Sequence, residues 1–193
     1  MSARAELAGR LGAERHDALT ETAVVAVGCL LLALRPLAMV SADTRVVLFG
    51  ATYVTIALAS IAVPVERDTA RISPVWAFGL GIAALAFAAS VAGPPVPAPW
   101  SAAALPLSVL AAVAEEALFR RVAYARLARF GAVLAVAGSA LLFGLVHVPA
   151  YGPAALPVDV GAGLLFGWQR WASGTWTVPA ATHAFANALV VLR

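Results

Sequence analysis

Long apolar runs separated by short polar or turn-forming breaks set the pattern of this chain. The runs fall at about residues 22–40, 46–65, 72–92, 104–126, 130–149, 155–172 and 174–192. Between them lie Ser41-Ala42-Asp43, Glu66-Arg67-Asp68, a Pro-rich stretch with Pro94, Pro95, Pro97 and Pro99, then Arg129, Tyr151-Gly152-Pro153 and Ser173-Gly174. Each run approaches the ~20 residues that a helix needs to cross the hydrocarbon layer. The runs do not alternate apolar and polar residues, as the ~10-residue strands of a membrane barrel would. The pattern predicts an all-α polytopic membrane bundle of about seven transmembrane helices. Residues 1–21 mix Arg4, Arg10 and Arg15 with Glu6, Glu14, Asp17 and Glu21, which predicts a polar tail or short surface helix before the first span. Gly163 and Gly167 stand at G-x-x-x-G spacing, which lets helix backbones approach closely and is read as bundle packing.

Composition agrees: 62% of the 193 residues are hydrophobic and 12% charged, against roughly 45–50% and about 25% in soluble domains. Seven spans of ~20 residues use about 140 positions, so no separate soluble domain fits. All 13 basic residues are Arg, for a net charge of +3. They sit between apolar runs rather than on one basic face, so no nucleic-acid partner is expected and topology explains them better. With seven spans, Arg4, Arg10, Arg15, Arg67, Arg71, Arg120, Arg121, Arg126, Arg129 and Arg170 fall on one side, and Arg35, Arg45 and Arg193 on the other. The positive-inside rule then puts the N-terminus in the cytoplasm and the C-terminus outside. Val40-Ser41-Ala42 resembles a cleavage site, but the long acidic leader and Arg35 at the end of the run fit a signal peptide badly. The single Cys29 forms no internal disulfide and belongs to no metal-type spacing.

Charged groups at membrane depth cost at least ~2.5–3.5 kcal/mol each, so each needs a partner or a task. Three charges, Glu115, Glu116 and Arg120, are read as lying in a span, in Glu115-Glu116-Ala117-Leu118-Phe119-Arg120. Glu116 and Arg120 are i,i+4 and can pair, whereas Glu115 points about 100° away and has no partner in its own helix. His147 ends the run that contains Phe143, and His183 and Asn187 share a face of the last helix at i,i+4 spacing. Glu115 and His147 each lie 16 residues from Gly131, the expected centre of a helical hairpin, which puts both about 24 Å from the turn. At one level, a carboxylate and an imidazole can form an acid/base pair that activates water. His183 and Asn187 would then supply donors to the oxyanion formed when water attacks an amide. Taken singly, each group has a plainer reading: a folding salt bridge for Glu116 and Arg120, a proton relay for Glu115, interhelical hydrogen bonds for the rest. One site explains all of them together.

In their order, E-E-x-x-x-R, F-x-x-x-H and H-x-x-x-N on successive membrane helices resemble the motifs of the CPBP family, which groups CAAX-type proteases with bacteriocin-processing and abortive-infection-like membrane proteins. The resemblance covers about residues 101–193, as a catalytic four-helix core; residues 1–100, the tail and three helices, match only in being spans. It implies an intramembrane glutamic endopeptidase acting on a membrane-associated peptide or protein. Glu115 and His147 would polarise the water, His183 and Asn187 would hold the oxyanion, and Glu116, Arg120 and Phe143 would support the site. No cofactor is expected; zinc is the competing expectation, since two His and one Glu can bind it, yet H-E-x-x-H is absent. Arg121 departs from the family, which often has Gly after the motif Arg. Nothing in the chain implies a prenylated substrate, and the Ala- and Arg-rich, Lys-free composition suggests a bacterial cytoplasmic membrane. The alternative is a non-enzymatic immunity or binding factor, or a proton-coupled carrier, that keeps the polar groups as interhelical glue.

Overall fold

The computed structural model describes residues 3–37, 41–65, 68–92 and 102–192, without the side chains of 3–16 and 91–92. Helix α1 (Ala3–Leu34) closes in a 3-10 turn (Arg35–Leu37), and α2 (Ala42–Ala62) and α3 (Pro74–Ala92) follow. Next, α4 (Ala104–Glu116) passes through a π-helical segment (Ala117–Ala123) into α5 (Tyr124–Ala128), forming one rod. Helix α6 (Ala132–Tyr151), a 3-10 turn (Pro153–Ala155), α7 (Leu156–Ser173) and α8 (Thr177–Val191) complete the order. The described residues thus form seven rods and no strand, the all-α bundle that the run lengths predict. The Pro-rich stretch 93–99, Glu66-Arg67 and Val40 lie outside the described residues. Of the two expectations for the polar N-terminal region, tail or short surface helix, residues 3–21 are helical, and they run without a break into the first span as part of α1. Its Ala, Leu, Glu and Arg residues are strong helix formers, so charge does not interrupt it.

Polarity is inverted relative to a soluble protein. Val27, Leu30, Leu58, Trp76, Phe87, Leu134, Leu141 and Leu145 face outward. Glu115, Glu116, Arg120, His147, Gln169, Arg170 and His183 are buried. Water would disfavour such an apolar perimeter, and lipid would not. Asp17–Leu37, Ala42–Ala62 and Ala132–Tyr151 are long and apolar enough to cross a membrane, and Pro74–Ser90 and Thr177–Val191 are shorter apolar helices. The two remaining rods, α4–α5 and α7, carry most of the buried charge.

Rod positions follow from glycines and one arginine. Gly131 (φ 112°) caps α6 and turns the α5–α6 hairpin where the sequence centres it, a conformation that residues with a Cβ rarely adopt. At Gly163 a Cβ would stand 2.9 Å from the Cα of Ala140, so α6 and α7 meet backbone to backbone. The G-x-x-x-G reading as helix packing therefore holds at Gly163, and Gly167 likewise lies against Val136. Replacing Gly163 with Ala is expected to cost about 1–3 kcal/mol by overpacking, read as a lower thermal midpoint in detergent. Arg121 donates through Nη1 to the carbonyl oxygens of Ser60 and of Val63, the latter at 2.7 Å. These are carbonyls that the end of α2 leaves unpaired, so this departure from the family pattern acts as an interhelical cap.

Candidate active site

The π-helical segment begins directly after Glu115 and Glu116. Its wider turn, in which the N–H of Tyr124 bonds the carbonyl of Phe119, shifts the helix register within the rod. Glu115 and Glu116 thereby serve two separate clusters.

Glu115 faces α1 and α6. Arg35 Nη1 donates to Glu115 Oε1 at 3.1 Å and to the Tyr53 hydroxyl at 2.7 Å, while Arg35 Nε donates to the Leu32 carbonyl at 2.8 Å. The other carboxylate oxygen, Oε2, lies 3.8 Å from His147 Nε2. The side chains expected to be level across the α5–α6 hairpin therefore do meet. On the far side of the ring, His147 Nδ1 bonds the Phe143 carbonyl oxygen at 2.7 Å. A carbonyl only accepts, so Nδ1 carries a proton, and Nε2 is the ring nitrogen that faces Glu115. At 3.8 Å the two groups are too far apart for a good direct hydrogen bond. Tyr151 stacks on the His147 ring at a centroid distance of 5.7 Å and fixes its plane.

Glu116 turns into the bundle and is fully buried together with Arg120. Its Oε1 accepts from Arg120 Nη1 at 3.1 Å and from His183 Nδ1 at 3.0 Å. Arg120 Nη2 donates to the Gly163 carbonyl at 2.9 Å. Around this ion pair stand Phe143 and Phe166, with the Arg120 guanidinium carbon 4.6 and 5.4 Å from the ring centroids. Phe143 touches both clusters, edge-on to His183 at 5.8 Å and tilted against His147 at 4.6 Å. The predicted i,i+4 pair of Glu116 and Arg120 exists, with His183 as a third member. That third member alters the expected grouping: His183 and Asn187 share a face of α8 but not a partner. Asn187 Nδ2 instead donates to the Ser108 carbonyl at 3.1 Å, and an amide nitrogen has a second hydrogen to offer.

Glu115, His147, His183 and Asn187 all line one open cavity of about 580 Å³. Its walls come from Arg35 just after α1, the middle of α2, the C-terminal halves of α3 and α6, the N-terminal half of the α4–α5 rod, and α7 and α8, so it lies toward one end of an up-and-down bundle. Arg121, Arg129 and Arg170 cluster with Asp68 and Glu21 at the other end. Two further charged groups of this cavity lie outside the predicted set. Arg35 is not merely a topological marker but the ion-pair partner of Glu115, and Asp159, on α7, also lines the cavity. The reading of three charges within the spans is therefore too narrow. Asp159 carried a usable signal, a lone acid in the sixth apolar run. The pairing of Arg35 with Glu115 carried none, because it joins positions far apart in sequence. Among the described residues, no three His, Cys, Asp or Glu side chains gather as metal ligands. His183 Nδ1 is turned onto Glu116.

An apolar perimeter around buried ion pairs, with a carboxylate and an imidazole lining an open cavity, defines a polytopic helical membrane protein with a polar internal site. The family described as Rce1-like, Type II CAAX prenyl endopeptidase Rce1-like, matches residues 97–189, and over that segment the chain is similar to it. This agrees with the CPBP resemblance of the three motifs and supports an intramembrane endopeptidase in general. No curated protein and no solved structure matches the chain.

Proposed function

We propose that the protein cleaves a peptide bond of a membrane-associated peptide or protein, using water activated by Glu115 and His147 without a metal. The observation that carries this reading is the 3.8 Å approach of Glu115 Oε2 to His147 Nε2 inside an open cavity. A water placed against both atoms gives its proton to the carboxylate as its oxygen attacks the amide carbon. The tetrahedral oxyanion is met by Asn187 and by His183. With Nδ1–H committed to Glu116, His183 meets the oxyanion through Nε2–H. The proton held on Glu115 then passes to the departing nitrogen as the carbon–nitrogen bond breaks, which releases an amine and a carboxylate. Arg35 holds Glu115 Oε1 so that Oε2 stays turned toward His147. Glu116, Arg120 and Phe143 act as positioning residues, through His183 and His147.

By the positive-inside rule the arginine-rich end faces the cytoplasm, as does the N-terminus, in a bacterial cytoplasmic membrane. Metal independence has a direct check. Purified protein in detergent, incubated with apolar peptides, should retain its cleavage rate after exhaustive treatment with zinc chelators. A loss of activity that zinc restores would replace the glutamic mechanism by a metal one. Absence of cleavage from every peptide, together with unchanged biological activity of a Glu115→Gln variant, would favour the non-enzymatic immunity or carrier reading.

A further inference from the structure

The lining of the cavity holds three charged side chains, Arg35, Glu115 and Asp159, with His147 and His183. Arg35 pairs with Glu115 at 3.1 Å. His183 Nδ1 is taken up by Glu116. His147 bonds the Phe143 carbonyl through Nδ1, has Nε2 3.8 Å from Glu115 and lies within electrostatic reach of Asp159. Among the described residues, the carboxylate of the lining that has no ion pair is that of Asp159.

Asp159 stands in the first turn of α7, and its Oδ2 is buried with no hydrogen-bond partner among the described residues. A buried carboxylate oxygen without a donor costs free energy, and native proteins leave few of them. The cavity that Asp159 lines also has Phe49, Leu85, Leu107, Val158 and Val190 on its walls. A carboxylate oxygen without a donor, in a cavity that also holds the reacting pair, marks a place for a cation supplied by the ligand.

Building on the hydrolytic reading of this cavity, we infer that Asp159 is a specificity residue that receives a cationic group of the substrate, selecting apolar peptides with a lysine- or arginine-type charge or a free amine near the cleaved bond. When the ligand arrives, its ammonium or guanidinium donates to Oδ2. Asp159 acts on binding and does not take part in proton transfer.

The test reads binding rather than turnover, so it stands even if the hydrolytic reading fails. Fluorescent apolar peptides are titrated against wild-type protein and Asp159→Asn in detergent by anisotropy, with peptide integrity checked by mass spectrometry. Three peptides differ at one place: N-acetylated with one Lys, N-acetylated with norleucine there, and the norleucine peptide with a free amine. Wild type should bind the Lys peptide about tenfold or more tightly over the acetylated norleucine peptide, and Asp159→Asn should erase the difference. The same pattern shown by the free-amine peptide alone assigns the cation to a terminus and equally supports the inference. Equal binding of all three peptides by wild type overturns it, as does an Asp159→Asn variant that weakens all three alike, the mark of a purely structural carboxylate. Equal thermal midpoints for the two proteins exclude misfolding as the source of a difference.

Discussion

Replacing Glu115 with Gln is expected to lower the rate of peptide hydrolysis by about 10²- to 10⁴-fold, the usual worth of a positioned general base, while the protein stays folded. That loss corresponds to about 3–5.5 kcal/mol of transition-state stabilisation. Gln keeps the shape of Glu and an acceptor for Arg35 Nη1, and Arg35 retains its bonds to Tyr53 and the Leu32 carbonyl. The carbonyl oxygen of an amide is a poor base, however, and cannot take the proton of an attacking water. Initial rates measured beside the thermal midpoint check this, with Glu115→Ala as the harsher comparison, because it leaves Arg35 without its ion-pair partner. A Glu115→Gln enzyme with wild-type rates would remove Glu115 from the chemistry.

The second large effect is on folding. Arg120→Met should destabilise the protein by about 3–5 kcal/mol, because it strands the Glu116 carboxylate in a fully buried position. It also removes the donor to the Gly163 carbonyl, at the point where α6 and α7 are closest. A loss of monodisperse protein in detergent, or a sharply lowered thermal midpoint, is the readout. The double variant Arg120→Met with Glu116→Gln should recover much of that loss, since removing both members of a buried pair leaves no unpaired charge. Equal instability of single and double variants would show that the pair is not what holds these rods together.

Much of this arrangement was legible in the chain because it depends on length and spacing. Run lengths showed seven rods, and Gly131 showed the hairpin that sets Glu115 level with His147. Glu116 with Arg120 follows from i,i+4 spacing, which survives the entry into the π-helical segment. Other features depend on contacts between distant segments, for which a single sequence has no periodic signal. Arg35 meets Glu115 across 80 positions, and His183 takes Glu116 as a partner only because α8 packs beside the α4–α5 rod. The π-helical turn leaves no mark in residue type, since Ala117–Ala123 is as good an α-helix former as its neighbours. Asp159 is a different case. The cost rule that singled out Glu115 applies equally to it, a lone acid inside the sixth apolar run.

The central claim is that Glu115 and His147 together activate a water for hydrolysis. Mass spectrometry of peptide digests in heavy-oxygen water, run side by side for wild type, Glu115→Gln and His147→Ala in the presence of a zinc chelator, tests it most directly. The account predicts cleavage by wild type, with one heavy oxygen in each new C-terminal carboxylate, and no products above background from either variant. Labelled products formed at the wild-type rate by either variant, or wild-type cleavage that the chelator abolishes, would contradict it.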